Sequence, residues 1–468
     1  MNQTGKYIVY LLFGLLTAAA FISSCTDANE PGDITPPKDK ISLSISFQSE
    51  QQLRAENGLK ANEGGEIDAG VYERESAVYS LAVFVFDGNK LDGSKFINRE
   101  LKAGTEATDS SYVELDKITG IELTAGVRDV YIIANAPDAE DGGYFSNVTD
   151  FNSFKAKMEE LSRQKIYGHD RGATTDPDGP PIGGVDPNDR FTNLVMSQSF
   201  KDLPLNSGAP KHYLGYTGGV PAGESGTLVN GYNPVELVRL MARVAIQKIE
   251  FELPDPLTID GQSIDKDNYS YLLDGVFMIN AKKQSSYFPE VVGFQSPAGS
   301  FGHGSNEGFD YLKTYTKIDN GNTYQKYLYI PLPFKEYDIK EDIDEQGYAP
   351  LWFYAFENND SETSPTCLVI GVNYQYRDIT NSGSIKAKKI YYPVVVNRNG
   401  ATSAGHAFIK RNNQYGIKVK IKGLSEDYPD LKSVTVRAMN DLLDTEGIVE
   451  ITEEVGSYLF PWTGNVYQ

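Results

Sequence analysis

Cys25 follows Ile22-Ser23-Ser24, behind Lys6 and an apolar run over residues 7–22. A basic start, a short apolar stretch and small residues ahead of a cut make a secretory signal. The run of 16 residues is shorter than the roughly 20 that span a bilayer. A cysteine placed directly after that small pair is where bacterial export acylates a thiol and severs the chain before it. Residues 1–24 therefore read as a signal peptide and Cys25 as the lipid-bearing residue; an uncleaved anchor with an incidental cysteine is the alternative. The second reactive point is the Arg54-Ala55 bond, in a polar Glu-, Asn- and Gly-rich stretch over 49–70. A trypsin-like protease cuts after arginine in exposed segments of this kind, with Lys60 and Arg74 as further basic sites.

No catalytic constellation accompanies these two points. The sequence has no phosphate-cradling Gly-rich loop ending in Lys-Ser/Thr, no paired-cysteine spacing and no His-Glu-x-x-His. A hydrolase on a β-scaffold would need a convergent acid and base, and none can be named. His169, His212, His303 and His406 stand in polar or Gly-rich contexts and read as solvated loop residues. Asp342-Ile343-Asp344-Glu345-Gln346-Gly347 opens like a calcium loop, but its twelfth position is Phe353, where the bidentate carboxylate belongs. Asp176, Asp178, Asp186 and Asp189 supply oxygen ligands on a Pro- and Gly-rich loop over 170–190, for which a solvated acidic loop is the simpler reading. Trp352 and its neighbouring tyrosines could stack on sugars, yet in alternating strands they more often fill cores. The expectation is no metal and no cofactor.

What must position the reactive points is a strand. Ile41, Leu43, Ile45 and Phe47 alternate with Ser42, Ser44, Ser46 and Gln48, placing every apolar side chain on one face. Burying four such side chains contributes about 6–12 kcal/mol, comparable to the net stability of a domain. The strand lies between the Cys25 tether, an Asp-, Pro- and Gly-rich stretch over 26–40, and the cleavable segment. A cut after Arg54 would leave it attached by packing and hydrogen bonds alone. Its departure would open an apolar groove flanked by unpaired edges, a template for another strand. The alternative is a permanent first strand with Arg54 a solvated loop residue.

Beyond it, alternation dominates. Strands are expected over 78–86, 112–123, 127–134, 193–198, 235–253, 272–280, 324–330, 351–356, 366–376, 388–396, 415–421 and 433–439, separated by Gly, Asn and Asp as in β-sandwiches. The exception is 150–164, where Phe151, Phe154, Met158 and Leu161 recur at helical spacing behind a possible Asp150 cap. The chain of 468 residues exceeds a single core, so two domains, or three, are expected. With 30 Tyr, 22 Phe and 44 Gly it is a β-rich, turn-rich composition. A net charge of -21 excludes nucleic acid and anionic membrane surfaces as partners. If Cys25 is acylated, Cys367 has no partner and serves as a small buried hydrophobe.

Several phrases together carry a resemblance. Residues 78–86 (VYSLAVFVF) with Asp87-Gly88, then 123–126 (LTAG) leading into 130–135 (VYIIAN), resemble the N-terminal part of the Bacteroidota major fimbrial subunit (fimbrillin) family. Residues 235–251 (VELVRLMARVAIQKIEF), 353–358 (FYAFEN), 409–412 (IKRN) and Tyr415 look like its later landmarks. The resemblance implies a type V pilin-like lipoprotein of all-β fold, with two tandem transthyretin-like β-sandwich domains and a short helix in the first. It implies a propeptide over 25–54 and domains over 55–253 and 254–468. It also implies removal of the first strand by an arginine-specific processing protease at Arg54-Ala55. Polymerisation with other fimbrial subunits at the cell surface follows, with the precursor held to the outer membrane by its lipid and the fimbria serving adhesion. The exchanged face would be Ile41, Leu43, Ile45 and Phe47, and the donor a C-terminal strand of a neighbour. Residues 441–455 are acidic, so the apolar positions of 448–451 and the alternation Tyr458, Phe460, Trp462 are the candidates for it. A non-polymerising tip or anchor adhesin, or a glycan-binding surface lipoprotein, is the rival reading.

Overall fold

The computed structural model describes residues 39–47, 77–160 except 101, 105–111 and 137–139, then 194–289, 301–302, 329–331, 335–338, 351–359, 364–398, 406–424 and 448–457. Cys25, Arg54, Ala55, His169, His303, the 170–190 loop, 342–347, 433–439 and 458–462 lie outside them. From Ile41 onward the strands belong to one compact unit, Ile41–Gln468.

The first half supplies β1 (Lys40–Ser46), β2 (Leu81–Asp87), β3 (Lys90–Ile97), β4 (Lys117–Thr124), β5 (Gly126–Ala134), β6 (Met158–Glu160), β7 (Met196–Leu205), β8 (Lys211–Leu214), β9 (Thr227–Leu228) and β10 (Val238–Arg239). The second supplies β11 (Met241–Phe251), the hairpin β12 (Leu257–Ile259) and β13 (Gln262–Ile264), β14 (Tyr269–Ile279), β15 (Ala281–Lys282) and β16 (Gln284–Ser286). It continues with β17 (Phe301–Gly302), β18 (Tyr329–Pro331), β19 (Tyr337–Asp338), β20 (Leu351–Phe356), β21 (Cys367–Arg377), β22 (Ile385–Val395), β23 (Asn413–Ile421) and β24 (Val449–Ser457).

These strands form two sandwiches. In the first, a sheet ordered β4-β1-β8-β9 faces one ordered β10-β7-β5-β2-β3. In the second, β19-β11-β23-β24, with β20 also on β11, faces β18-β14-β21-β22. The all-β, two-sandwich expectation is met. The alternation of β2 explains its unbroken apolar run: Leu81, Val83 and Val85 enter the core shared with β1, while Ala82, Phe84 and Phe86 enter a second core continuous with the other sandwich. A strand buried on both faces has no polar positions to alternate with.

The expected strand over 235–253 is two strands in two sheets: β10 pairs β7 of the first sandwich, and β11 pairs β20 and β23 of the second. The chain thus changes sandwich at Leu240, whose N–H still bonds Val195 O at 3.0 Å. The expected helix over 150–164 is a single helix α1, Phe151–Lys155. Its start is as read: Asp150 accepts from Ser153 N, and Ser153 Oγ accepts from Asp150 N. It ends early because Phe154 has already reached Phe84, Phe86 and Tyr131. The next residues are then recruited as β6 against β16 of the second half. Tertiary pairing outweighs the helical period there.

Candidate functional site

Within the first sandwich β1 is an interior strand. Its pairing with β8 is parallel, in the register Ser42↔Lys211, Leu43↔His212, Ser44↔Tyr213, Ile45↔Leu214, and Phe47 bridges Val235. On the other side Phe47 N donates to Asp116 O at 3.0 Å and Gly120 N to Ser44 Oγ at 3.4 Å. Rising numbers on β1 meet falling numbers there, so β4 is antiparallel. Ile41, Leu43, Ile45 and Phe47 are all buried, Leu43 and Ile45 completely. They sit among Ile118, Ile121 and Leu123 of β4, Leu205, Leu214 and Val235, over Val83, Val85, Val130 and Ile132 of the facing sheet. A short period-2 strand becomes a core strand because both flanks offer ladder partners and the opposite sheet offers an apolar floor.

The outer face of β1 is also contacted. Ser44 is 9% exposed. Tyr216 bonds its hydroxyl; burial raises the Tyr216 phenol above its ordinary value and this hydrogen bond partly offsets the rise. Gly215, at φ +79°, closes the end of β8 onto Ser46; a Cβ there would stand 2.0 Å from Ser46 O. Only glycine combines that backbone conformation with that approach.

His212 departs from its expected place on a solvated loop. It lies in β8, 1% exposed, on the same face as Leu214 and beside Leu43. Burial pushes its imidazole below the ordinary value, opposed by a hydrogen bond with the Asn206 backbone. Its Nδ1 has no partner among the described residues. His406 is likewise no free loop residue, since its Nε2 stands 2.9 Å from Tyr415 Oη. Four-residue β8 was unreadable because so short a run after Pro210 shows no period. With it went the wall of the slot and its histidine. Cys367 is buried in β21, its thiol raised by burial, as expected of a small hydrophobe.

At the far end of the chain β24 is an edge strand, paired only with β23 among the described residues. Val449 is buried, whereas Ile451 is 37% exposed. Glu453 turns inward, and both its oxygens accept from Asn397 N at 2.8 Å. Burial raises its carboxyl to about 7, against the pull of that hydrogen bond. No group of three or more His, Cys, Asp or Glu among the described residues is arranged to hold a metal ion.

The fold therefore defines a two-sandwich β-protein whose first strand fills an interior slot and whose last described strand stands at an edge. Residues 50–167 match the family described as Major fimbrial subunit protein (FimA). Over 450 residues the chain is 23% identical to Major fimbrium subunit FimA type-2 of Porphyromonas gingivalis, covering 91% of this chain and 93% of that one. FimA type-3 of the same organism matches at 23% over 453 residues, with the same coverage. A fimbrilin crystal structure from Porphyromonas gingivalis superposes with a TM-score of 0.51 at 17% identity, covering 90% of this chain and 98% of that one, and shares the fold. By these matches the chain is similar to the major fimbrial subunits of Porphyromonas gingivalis along most of its length.

Proposed function

We propose that this protein is a non-enzymatic structural subunit of a cell-surface fimbria that supports adhesion. It is exported as a precursor acylated at Cys25 and anchored in the outer membrane. An arginine-specific protease then cuts between Arg54 and Ala55. After the cut β1 is bound without covalent linkage, and a strand from a neighbouring subunit replaces it. The kinship with major fimbrial subunits supports the structural role, the surface location and association with other subunits. One observation carries the exchange: the strand just upstream of the cleavable bond is an interior strand, hydrogen-bonded on both sides and buried along its whole apolar face. Its loss leaves two ladder edges and an apolar groove that cannot stay empty in water. The replacement strand recovers the same contacts, so no chemical energy is needed.

Digesting the purified precursor with a trypsin-like protease tests this. The expected result is a new amino terminus at Ala55 and a ladder of oligomers resistant to mild detergent. Complete cleavage that leaves monomers, with residues 41–47 still bound, overturns it.

A further inference from the structure

We propose that the cleft beside edge strand β3 binds a neutral saccharide, which lays its carbon face on Phe96 and donates a hydroxyl to Asn98. Such binding would give the adhesive role above its ligand class, and its use at the cell surface rests on that reading.

The cleft has a volume of about 840 Å³, within the roughly 300–1,000 Å³ of small-ligand sites. It opens on the side of β2 and β3 turned away from β1, where Phe84 lies 5.5 Å from Phe96 and 5.4 Å from Phe145 between ring centroids. Phe84 and Phe145 are buried and form its base, whereas Phe96 is only partly buried and keeps ring surface for a ligand. Two separate segments make the rim. Asn98 and Glu100 continue from the end of β3, held where Val113 N donates to Glu100 O at 2.9 Å. Ser146 comes from a turn in which its N–H donates to Gly143 O at 3.1 Å.

Asn98 supplies the selecting group. Its Oδ1 is buried and has no hydrogen-bond partner among the described residues. A buried acceptor without a donor is costly, so a ligand that brings an O–H or N–H to it recovers that cost on binding. Charge narrows the choice. Lys95, whose Nζ donates to Thr119 O at 2.6 Å, lines the same cleft as exposed Glu100, so a ligand charged either way meets a like charge. The rim groups converge from two segments, whereas a peptide strand added to β3 would need one continuous row of backbone groups. A sugar ring fits what remains: several hydroxyl donors, no charge, and a face of C–H groups to set against the negative face of an aromatic ring.

The uncleaved full chain is tested on an array of oligosaccharides ending in neutral hexoses or N-acetylhexosamines, beside their sialylated and sulfated counterparts and extended peptides. Neutral saccharides are expected to be retained, and the anionic ones to bind more weakly. Asn98→Ala is expected to weaken binding by roughly tenfold, the worth of one hydrogen bond to the sugar. The same change is expected not to lower the melting temperature, because an acceptor without a partner is removed. A destabilised variant would mean that Asn98 serves the fold, and overturns the assignment. Ser146→Trp, at an exposed position, is expected to fill the cleft and abolish binding while the chain stays folded. An empty array, retention of anionic saccharides or peptides alone, or binding that survives both substitutions overturns the saccharide cleft and leaves the fimbrial reading standing. Monomers after complete proteolysis overturn the fimbrial reading instead, and saccharide retention by the single chain stands apart from that result.

Discussion

Glu453 makes the last strand sensitive to pH. Its folded value, about 7, lies above the ordinary 4.5 of a glutamate, so between these values the folded chain keeps a proton that the unfolded chain has released. The stabilisation is fully present below about pH 4.5 and is lost as pH rises through about 7. Glu453→Gln, which cannot ionise, is expected to raise stability at pH 8 by on the order of 2 kcal/mol and to change little at pH 4.5. Urea unfolding at the two pH values checks this, and equal effects at both would refute it. Neither Glu453 nor His212 announced itself in the sequence. A glutamate in an acidic run and a histidine after proline look solvated, and only pairing with β23 and β1 turns them inward. The asparagine closing the 130–135 phrase was legible as a landmark, and its cause is now visible. Asn135 adopts φ 58°, and its buried side chain bonds Ala77 O, Leu194 O and Tyr79 N, tying three segments together.

Among the elements, β1 could be read almost residue for residue, because its face alternation survives in any context that buries one side. Its interior position could not, since that depends on β8. Edge strand β3 was missed for a related reason: KLDGSKFI carries too few apolar residues to show a face, and it pairs only along one side, with β2, among the described residues. The interior position of β1 yields a test that separates the two lives of the slot. Leu43→Ala is expected to destabilise the uncleaved precursor by about 2–5 kcal/mol, the usual cost of a truncated core leucine. The same substitution is expected to leave assembled polymer unchanged if, as proposed, residue 43 is no longer in it. Melting curves of the precursor and of washed polymer provide the comparison, and an equal loss in both would mean that β1 never leaves.

Across the whole molecule, the two sandwiches share one interior. Phe84, Phe86, Tyr131 and Ile133 of the first pack into the same apolar cluster as Tyr287, Phe288, Phe353 and Tyr374 of the second. The β6–β16 ribbon crosses between them, and buried Arg411 bonds Tyr287 O at 3.3 Å and Ser286 O at 3.0 Å. Linked domains commonly unfold in separate steps. Here β5 and β21 are expected to lose hydrogen-exchange protection at the same denaturant concentration, and two well-separated transitions would contradict the shared core. Sandwiches were legible from strand spacing, more than one domain from length, and the count of two from the resemblance, but their fusion was not legible, because the aromatic residues that join them alternate with residues of the first core along the same strands.

That fusion governs how a fibre of such subunits answers a pull. A chain of beads on hinges gives way first by straightening, and each joint absorbs load before any bond is stressed. With no slack between halves, tension arriving at the groove of one subunit passes undiminished to its trailing edge. If subunits join by the proposed strand exchange, the filament behaves as a stiff rod whose weakest element is the non-covalent graft between neighbours.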